Sequence, residues 1–223
     1  MTVQPHSHKQ ERESALRLAL VAAARSLTTQ GLNRGTSGNI GVRLKASFLI
    51  TPSGVPTEEL LPEAMVEMDF SGAVLGAGKP SSEWRFHRDI LALRTEIGAV
   101  VHTHSRYATA LACLQREVPA FHYMIARAGG DSIRCTPYAI FGSQALSELA
   151  LQALENRKAC LLGNHGMIAL GFDLADAMSM ALEVESLCEQ YWSALQLGAP
   201  KLLSKSQMQE VLEKFKDYGR RQD

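Results

Sequence analysis

Leu16, Leu20, Ala23 and Leu27 recur at helical spacing within residues 11–30, and Gly31 follows as a stop signal. The period then changes. Residues 40–44 alternate weakly and 48–51 are apolar, which predicts a hairpin; 65–69 and 73–75 read as further strands about a Ser71-Gly72 turn. Ser81 or Ser82 is placed to cap a helix over 83–94 whose apolar stripe holds Phe86, Ile90 and Leu93. Gly98 leads into a β-branched strand at Val100-Val101, and 106–114 is again helical. The segment 119–130 ends on Gly129-Gly130; 131–135 is expected as a strand and 138–142 as a loop. A helix over 146–154, strands at 159–162 and 167–170, and a long Asp173-capped helix to about 197 follow. In that long helix Ala177, Leu182, Val184 and Leu187 are expected inside. A last helix starts at Ser204 or Ser206 and runs through Val211, Leu212 and Phe215 to Tyr218-Gly219.

Helices and strands alternate irregularly, and several strand pairs are joined by hairpin-length connections. This pattern predicts an α/β fold: a single-domain, three-layer α/β/α arrangement with a mostly antiparallel central sheet. No repeat, low-complexity stretch or linker divides the chain, so one domain is expected over 11–223, after a flexible segment at 1–10. Composition changes little. Lys+Arg and Asp+Glu both number 23, which leaves no net charge to draw nucleic acid or an anionic membrane. No apolar run approaches the roughly 20 residues of a membrane span, and residues 1–10 lack the apolar core of a signal peptide. Cys113, Cys135, Cys160 and Cys188 show no close pairing and sit among apolar neighbours, as buried free thiols of a cytoplasmic protein would. His6 and His8 fall in the terminal segment and are expected in solvent.

The chemistry centres on Ala99-Val100-Val101-His102-Thr103-His104. Side chains two apart on a strand leave the same face, so His102 and His104 project together while Val101 and Thr103 point the other way. His165 lies between glycines in Gly163-Asn164-His165-Gly166, and Glu83 begins a helix one element upstream of the paired histidines. Three imidazoles and a carboxylate form a donor set for a catalytic metal ion, though His-x-His alone also fits local hydrogen bonding. His87 and His122 are expected to pack or bond locally. Gly38-Asn39, Ser53-Gly54 and Ser81-Ser82 each pair a small polar side chain with flexible or helix-initiating amides, which suits a phosphate. These readings converge on a metal-dependent enzyme acting on a small phosphorylated substrate.

The chain resembles the class II aldolase/adducin family over nearly its whole length. The resemblance is carried by Gly31-Leu32-Asn33, Gly35-Thr36, Gly38-Asn39, Leu49-Ile50-Thr51-Pro52 and the run from Pro80 to His87. It continues through Val100-Val101-His102, His122-Tyr123-Met124-Ile125-Ala126, Gly129-Gly130, Asn156-Arg157-Lys158-Ala159, His165-Gly166 and the run from Val211 to Lys216. The resemblance implies zinc, or another divalent ion such as manganese or cobalt, held by His102, His104, His165 and Glu83, with Glu83 also the base. It implies substrate phosphate on Asn39, Ser53, Gly54, Ser81 and Ser82. It implies that Tyr123 acts as acid from a neighbouring subunit, and that Phe141, Phe215 and Tyr218 wall the aldehyde pocket, in a cyclic homotetramer. The implied reaction is reversible cleavage of a deoxyketose 1-phosphate to dihydroxyacetone phosphate and an aldehyde. L-Fuculose 1-phosphate and 5-deoxy- or 5-methylthio-pentulose 1-phosphates are the implied substrates. The same scaffold also serves pentulose-phosphate 4-epimerases, which carry Asp where this chain has Glu83, and methylthioribulose-1-phosphate dehydratases. A non-catalytic adducin-like interaction module is the alternative of another class; such modules lose the ligands and base that this chain keeps.

Overall fold

The computed structural model describes residues 5–217. Helix α1 (Pro5–Thr29) leads into the hairpin β1 (Asn39–Arg43) and β2 (Ser47–Ile50), then β3 (Val66–Asp69). Helix α2 (Trp84–Leu93), β4 (Ala99–Thr103) and α3 (Arg106–Cys113) follow, and a short 3-10 helix covers Tyr123–Ala128. The chain continues through β5 (Arg134–Cys135), α4 (Gln144–Ala153), β6 (Ala159–Leu162), β7 (Gly166–Gly171), α5 (Leu174–Leu197) and α6 (Lys205–Asp217).

The strands form one open seven-stranded sheet in the order β3-β2-β1-β4-β7-β6-β5. It is mixed: β5 runs parallel to β6, and the other neighbours are antiparallel. Strand periodicity sorts the core into two layers. Leu49, Val101, Met167 and Ala169 pack with residues of α1, α3 and α5 on one face. Phe48, Ile50, Val100, Ile168 and Leu170 pack under Phe86, Ile90, Leu146 and Ala150 of α2 and α4 on the other. The three layers expected from the sequence are present.

Several local expectations change. Helix α1 starts at Pro5 rather than near residue 11, with proline where a helix's first turn tolerates it; of the expected flexible segment, residues 1–4 lie outside the described residues. Residues 73–75 are not a strand. Only Val74 bridges to Met68, because the Asp69 carboxylate accepts the Ser71 and Ala73 amides at 2.9 Å each and closes a tight turn instead. Only Arg134 and Cys135 of 131–135 join the sheet, since Ile133 pairs with Val118. On α2 the buried stripe is Phe86, His87, Ile90 and Leu91, and Leu93 is exposed. On α5 Leu182 likewise faces outward. Cys160 and Cys188 are buried thiols as expected, whereas Cys135 is half-buried and Cys113 exposed. All four are unpaired.

Candidate metal centre and adjoining cavity

Sheet register assembles the site. Asn39 at the start of β1 lies opposite His102 on β4, and Thr103 pairs with Met167 on β7. The end of β4, the start of β1 and the turn before β7 therefore meet at one edge of the sheet. His102 faces α2, with the Phe86 ring edge-on at 5.5 Å between centroids. His104 follows just past the strand end. Glycines were expected to make the turn that carries His165, yet its left-handed residue is Asn164 (φ +57°). Gly166 serves a different need: a Cβ there would lie 2.3 Å from the Thr103 carbonyl oxygen. Only a residue without one lets β7 come close enough to set His165 against His104.

The three imidazole centroids are 4.8–4.9 Å apart. His102 Nε2 and His104 Nε2 face one another at 3.0 Å. Glu83 Oε2 lies 3.1 Å from His102 Nε2, and its Oε1 lies 3.2 Å from His165 Nε2. One ligand atom from each of Glu83, His102, His104 and His165 falls within 4.8 Å of all the others. Tetrahedral zinc, with bonds of about 2.0–2.1 Å, separates its ligand atoms by about 3.3 Å, so the pairs at 3.0, 3.1 and 3.2 Å sit near the spacing such an ion sets. Proton bookkeeping agrees. His102 Nδ1 donates to the Met167 carbonyl at 2.9 Å, which leaves its neutral ring with a bare Nε2 aimed at the cluster. Glu83 Oε1 is buried and, among the described residues, accepts no hydrogen bond in good geometry. Converging lone pairs of this kind suit a cation.

Charge states follow from the surroundings. Burial, reinforced by positive charge at His102 and His165, pushes His104 down to about 4; burial and His102 do the same to His165. Both are neutral, as metal ligands must be, near neutral pH. Burial opposes the charged form of His102 too, but the Glu83 carboxylate 3.1 Å from Nε2 outweighs that and raises it, so a proton and a cation compete for this nitrogen and an ion binds the ring only as the proton leaves. Burial pushes Glu83 up, yet His102, His165 and the Asn39 amide together hold it well below the usual carboxylate range.

Glu83 is held from behind. It is the residue preceding the first turn of α2, the position expected for Ser81 or Ser82, while Ser81 Oγ accepts its amide at 3.3 Å. Asn39 Nδ2 donates to Glu83 Oε2 at 2.9 Å, and His87 Nε2 stands 2.5 Å from Asn39 Oδ1. His87 is fully buried; burial and the charge of His102 push it down to about 3. His122 makes the local bond expected of it, accepting the Met124 amide at 3.2 Å.

A cavity of about 360 Å³ opens beside the cluster. Asn39, Ser53, Gly54, Ser81, Ser82 and Phe141 all line it with Glu83, His104 and His165, so the two groups of candidates share one site. Thr36 and Ser37 also line it and were missed; the glycines bracketing them were the available signal. Tyr123 and Phe215 do not reach this cavity. They line a separate cleft of about 940 Å³ with Met124, Arg127, Lys158 and Met180. Tyr218 lies outside the described residues. Two supporting residues left no mark in the hydrophobic pattern, although Asn33 lies in the Gly31-Leu32-Asn33 motif. Asn33 accepts the His104 amide at 3.1 Å. Glu185, from α5, accepts Ser105 Oγ at 2.6 Å and the amides of Tyr107 and Ala108 at 2.8 and 2.9 Å.

Among the described residues no helix is long and apolar enough to cross a membrane. Residues 18–192 match the family model described as class II aldolase and adducin N-terminal domain. The chain is 56% identical to the 5-methylthioribulose-1-phosphate/5-deoxyribulose-1-phosphate aldolase of Rhodospirillum rubrum, over 92% of this chain and 93% of that protein. It is 47% identical to the L-fuculose phosphate aldolase of Escherichia coli K12, over 87% and 91% of the two chains. A solved structure titled L-fuculose 1-phosphate aldolase superposes with a TM-score of 0.86 at 38% identity, covering 90% of this chain and 95% of that one. The chain belongs to the class II aldolase and adducin N-terminal domain family.

Proposed function

We propose that the protein is a divalent-metal-dependent aldolase that cleaves a deoxyketose 1-phosphate to dihydroxyacetone phosphate and an aldehyde. The observation that carries this reading is the four-residue cluster of Glu83, His102, His104 and His165 at the wall of a cavity rich in hydroxyls and glycine amides. The names of the similar proteins support the substrate class: 5-methylthioribulose or 5-deoxyribulose 1-phosphate first, L-fuculose 1-phosphate second. An adducin-like module without catalysis has no use for an intact ligand set beside such a cavity.

The three imidazoles and Glu83 would hold the ion. Zinc fits their donor types, and manganese or cobalt would take the same ligands. A bound divalent ion supplies Lewis-acid stabilisation of the negative charge left on the three-carbon fragment when the carbon–carbon bond parts. Glu83, ionised and poised at the cluster, moves the proton to and from the carbon that becomes the end of dihydroxyacetone phosphate. Asn39, Ser53, Gly54, Ser81 and Ser82 grip the phosphate near the N-terminus of α2, where the helix dipole favours an anion. That grip is remote from the bond being broken, so it orients the substrate and lowers the entropic part of the barrier.

Phe141, an exposed ring at the cavity, walls the aldehyde's apolar end. The exposed Tyr123, in its own cleft with Phe215, serves the cavity of a neighbouring copy in a homotetramer, exchanging the proton of the aldehyde oxygen. Unpaired cysteines fit a cytoplasmic setting. A triose-phosphate-coupled assay with methylthioribulose, 5-deoxyribulose, 5-deoxyxylulose, fuculose and rhamnulose 1-phosphates tests the reading. Release of dihydroxyacetone phosphate from at least one is expected, and release from none removes the aldolase assignment.

A further inference from the structure

We infer that His87 is a positioning residue whose Nε2–H, acting through the Asn39 amide, fixes the orientation of the Glu83 carboxylate. The inference rests on the reading of Glu83 as ligand and base. Hydrogen-bond logic carries it. An ionised carboxylate only accepts, so the Asn39 group 2.9 Å from Glu83 Oε2 is its NH2. The amide oxygen then points the other way, to within 2.5 Å of His87 Nε2, and only a donor is tolerated there. A neutral imidazole carries one N–H, so His87 is the Nε2–H tautomer and its Nδ1 is bare. The surroundings agree: Nδ1 is buried with no partner among the described residues. It lies where a Cβ on Gly41 would come within 2.6 Å, so glycine at that position leaves the ring its place. A proton on Nδ1 would be buried without an acceptor while two lone pairs met across 2.5 Å, a doubly unfavourable arrangement. The ring itself is locked by Phe86, 4.7 Å away between centroids.

The direction of the chain His87 to Asn39 to Glu83 therefore has one consistent setting. It presents an N–H to one oxygen of Glu83 and leaves the other for the metal cluster. Without the His87 donor the Asn39 amide is free to turn its oxygen toward the carboxylate, which repels it from the cluster. Partners that orient ligands in this way are worth roughly tenfold to a hundredfold in metal affinity or activity.

The test uses the full chain. In protein labelled with 15N-histidine and freed of metal, long-range proton–nitrogen correlation is expected to show His87 protonated at Nε2 and bare at Nδ1, the signal being assigned by its loss in His87→Gln. Protonation at Nδ1 overturns the inference. In a chelator competition, His87→Phe is expected to bind zinc roughly tenfold or more weakly. With zinc saturating, its kcat should fall while KM for the ketose phosphate stays within about threefold, and His87→Gln, which offers an N–H at a similar reach, should recover most of both losses. A folded His87→Phe with unchanged zinc affinity and kcat overturns the inference, as does failure of His87→Gln to recover either loss. If His87→Phe does not fold by circular dichroism, the tautomer in the unmodified protein decides. Tautomer and zinc affinity are read without substrate, so they stand or fall apart from the aldolase assignment.

Discussion

Glu185 sits on α5, far in sequence from the histidines, yet it governs how α3 leaves the Glu83–histidine cluster. Its carboxylate takes Ser105 Oγ at 2.6 Å and the amides of Tyr107 and Ala108 at 2.8 and 2.9 Å, replacing the cap that Ser105 does not provide. Ser105 and Ala108 are fully buried, and Ser105 directly follows His104. In Glu185→Ala these donors lose their acceptor in a place with little water. Hydrogen bonds to a charged group contribute about 1.5–3 kcal/mol each, and the helix N-terminus adds a favourable field. They share one carboxylate and are not additive, and Glu185 is itself half-buried, so water recovers part of the loss. A net destabilisation of about 3 kcal/mol is expected. Glu185→Gln keeps one acceptor oxygen and is expected to lose about 1 kcal/mol. Denaturant unfolding of the metal-free protein measures both, as shifts in midpoint at unchanged slope. Zinc affinity should weaken in parallel, because His104 hangs from the same helix start. An alanine variant within about 0.5 kcal/mol of the parent, the range of inert surface changes, would mean that Glu185 does not hold the start of α3.

Glu83→Gln should abolish turnover while retaining binding of inorganic phosphate, measured by calorimetry; undiminished turnover would place the base elsewhere. Gly166→Ala forces a Cβ to within 2.3 Å of the Thr103 carbonyl, so β4 and β7 must part. A loss of about 1–3 kcal/mol in denaturant unfolding is expected, together with weaker zinc binding. For Asp89, burial pushes the carboxyl up, but hydrogen bonds from Arg88, Ser147 and Gln144 outweigh it and hold it below its ordinary value. A carboxyl depressed in the folded state contributes stability that is present above its unfolded pKa of about 3.9 and is lost as pH falls through the folded value. Asp89→Asn should therefore be less stable than the parent at pH 7, with the gap narrowing below about pH 4. A gap independent of pH would contradict the assignment.

Much of the site was legible because its chemistry is local in sequence. His102 and His104 share a face by strand alternation alone, and the paired small polar residues at 38–39, 53–54 and 81–82 mark the turns and the helix start that line the cavity. Three layers followed from hairpin-length connections between apolar strands. What escaped depends on long-range packing. Nothing near Glu185 or Asn33 in the chain signals that their acceptors meet the segment 104–108, since sheet register and the docking of α5 bring them there. Leu93 and Leu182 fit helical periodicity yet face outward, because the buried arc of each helix is set by the layer beneath it. Asp69 diverted 73–75 from the sheet through two amides, a side-chain interaction that strand propensity does not register. The partition of Tyr123 and Phe215 into their own cleft is likewise a property of the folded surface.

In the proposed reaction one divalent ion, held by three imidazoles and Glu83, is required for carbon–carbon cleavage. The most direct test strips the protein with a chelator and titrates zinc back while following release of dihydroxyacetone phosphate from 5-methylthioribulose 1-phosphate. No release is expected from the stripped protein, followed by a linear rise that breaks at one ion per chain. Full activity before any metal is returned, or a rise that is unchanged in His165→Ala, would contradict that requirement.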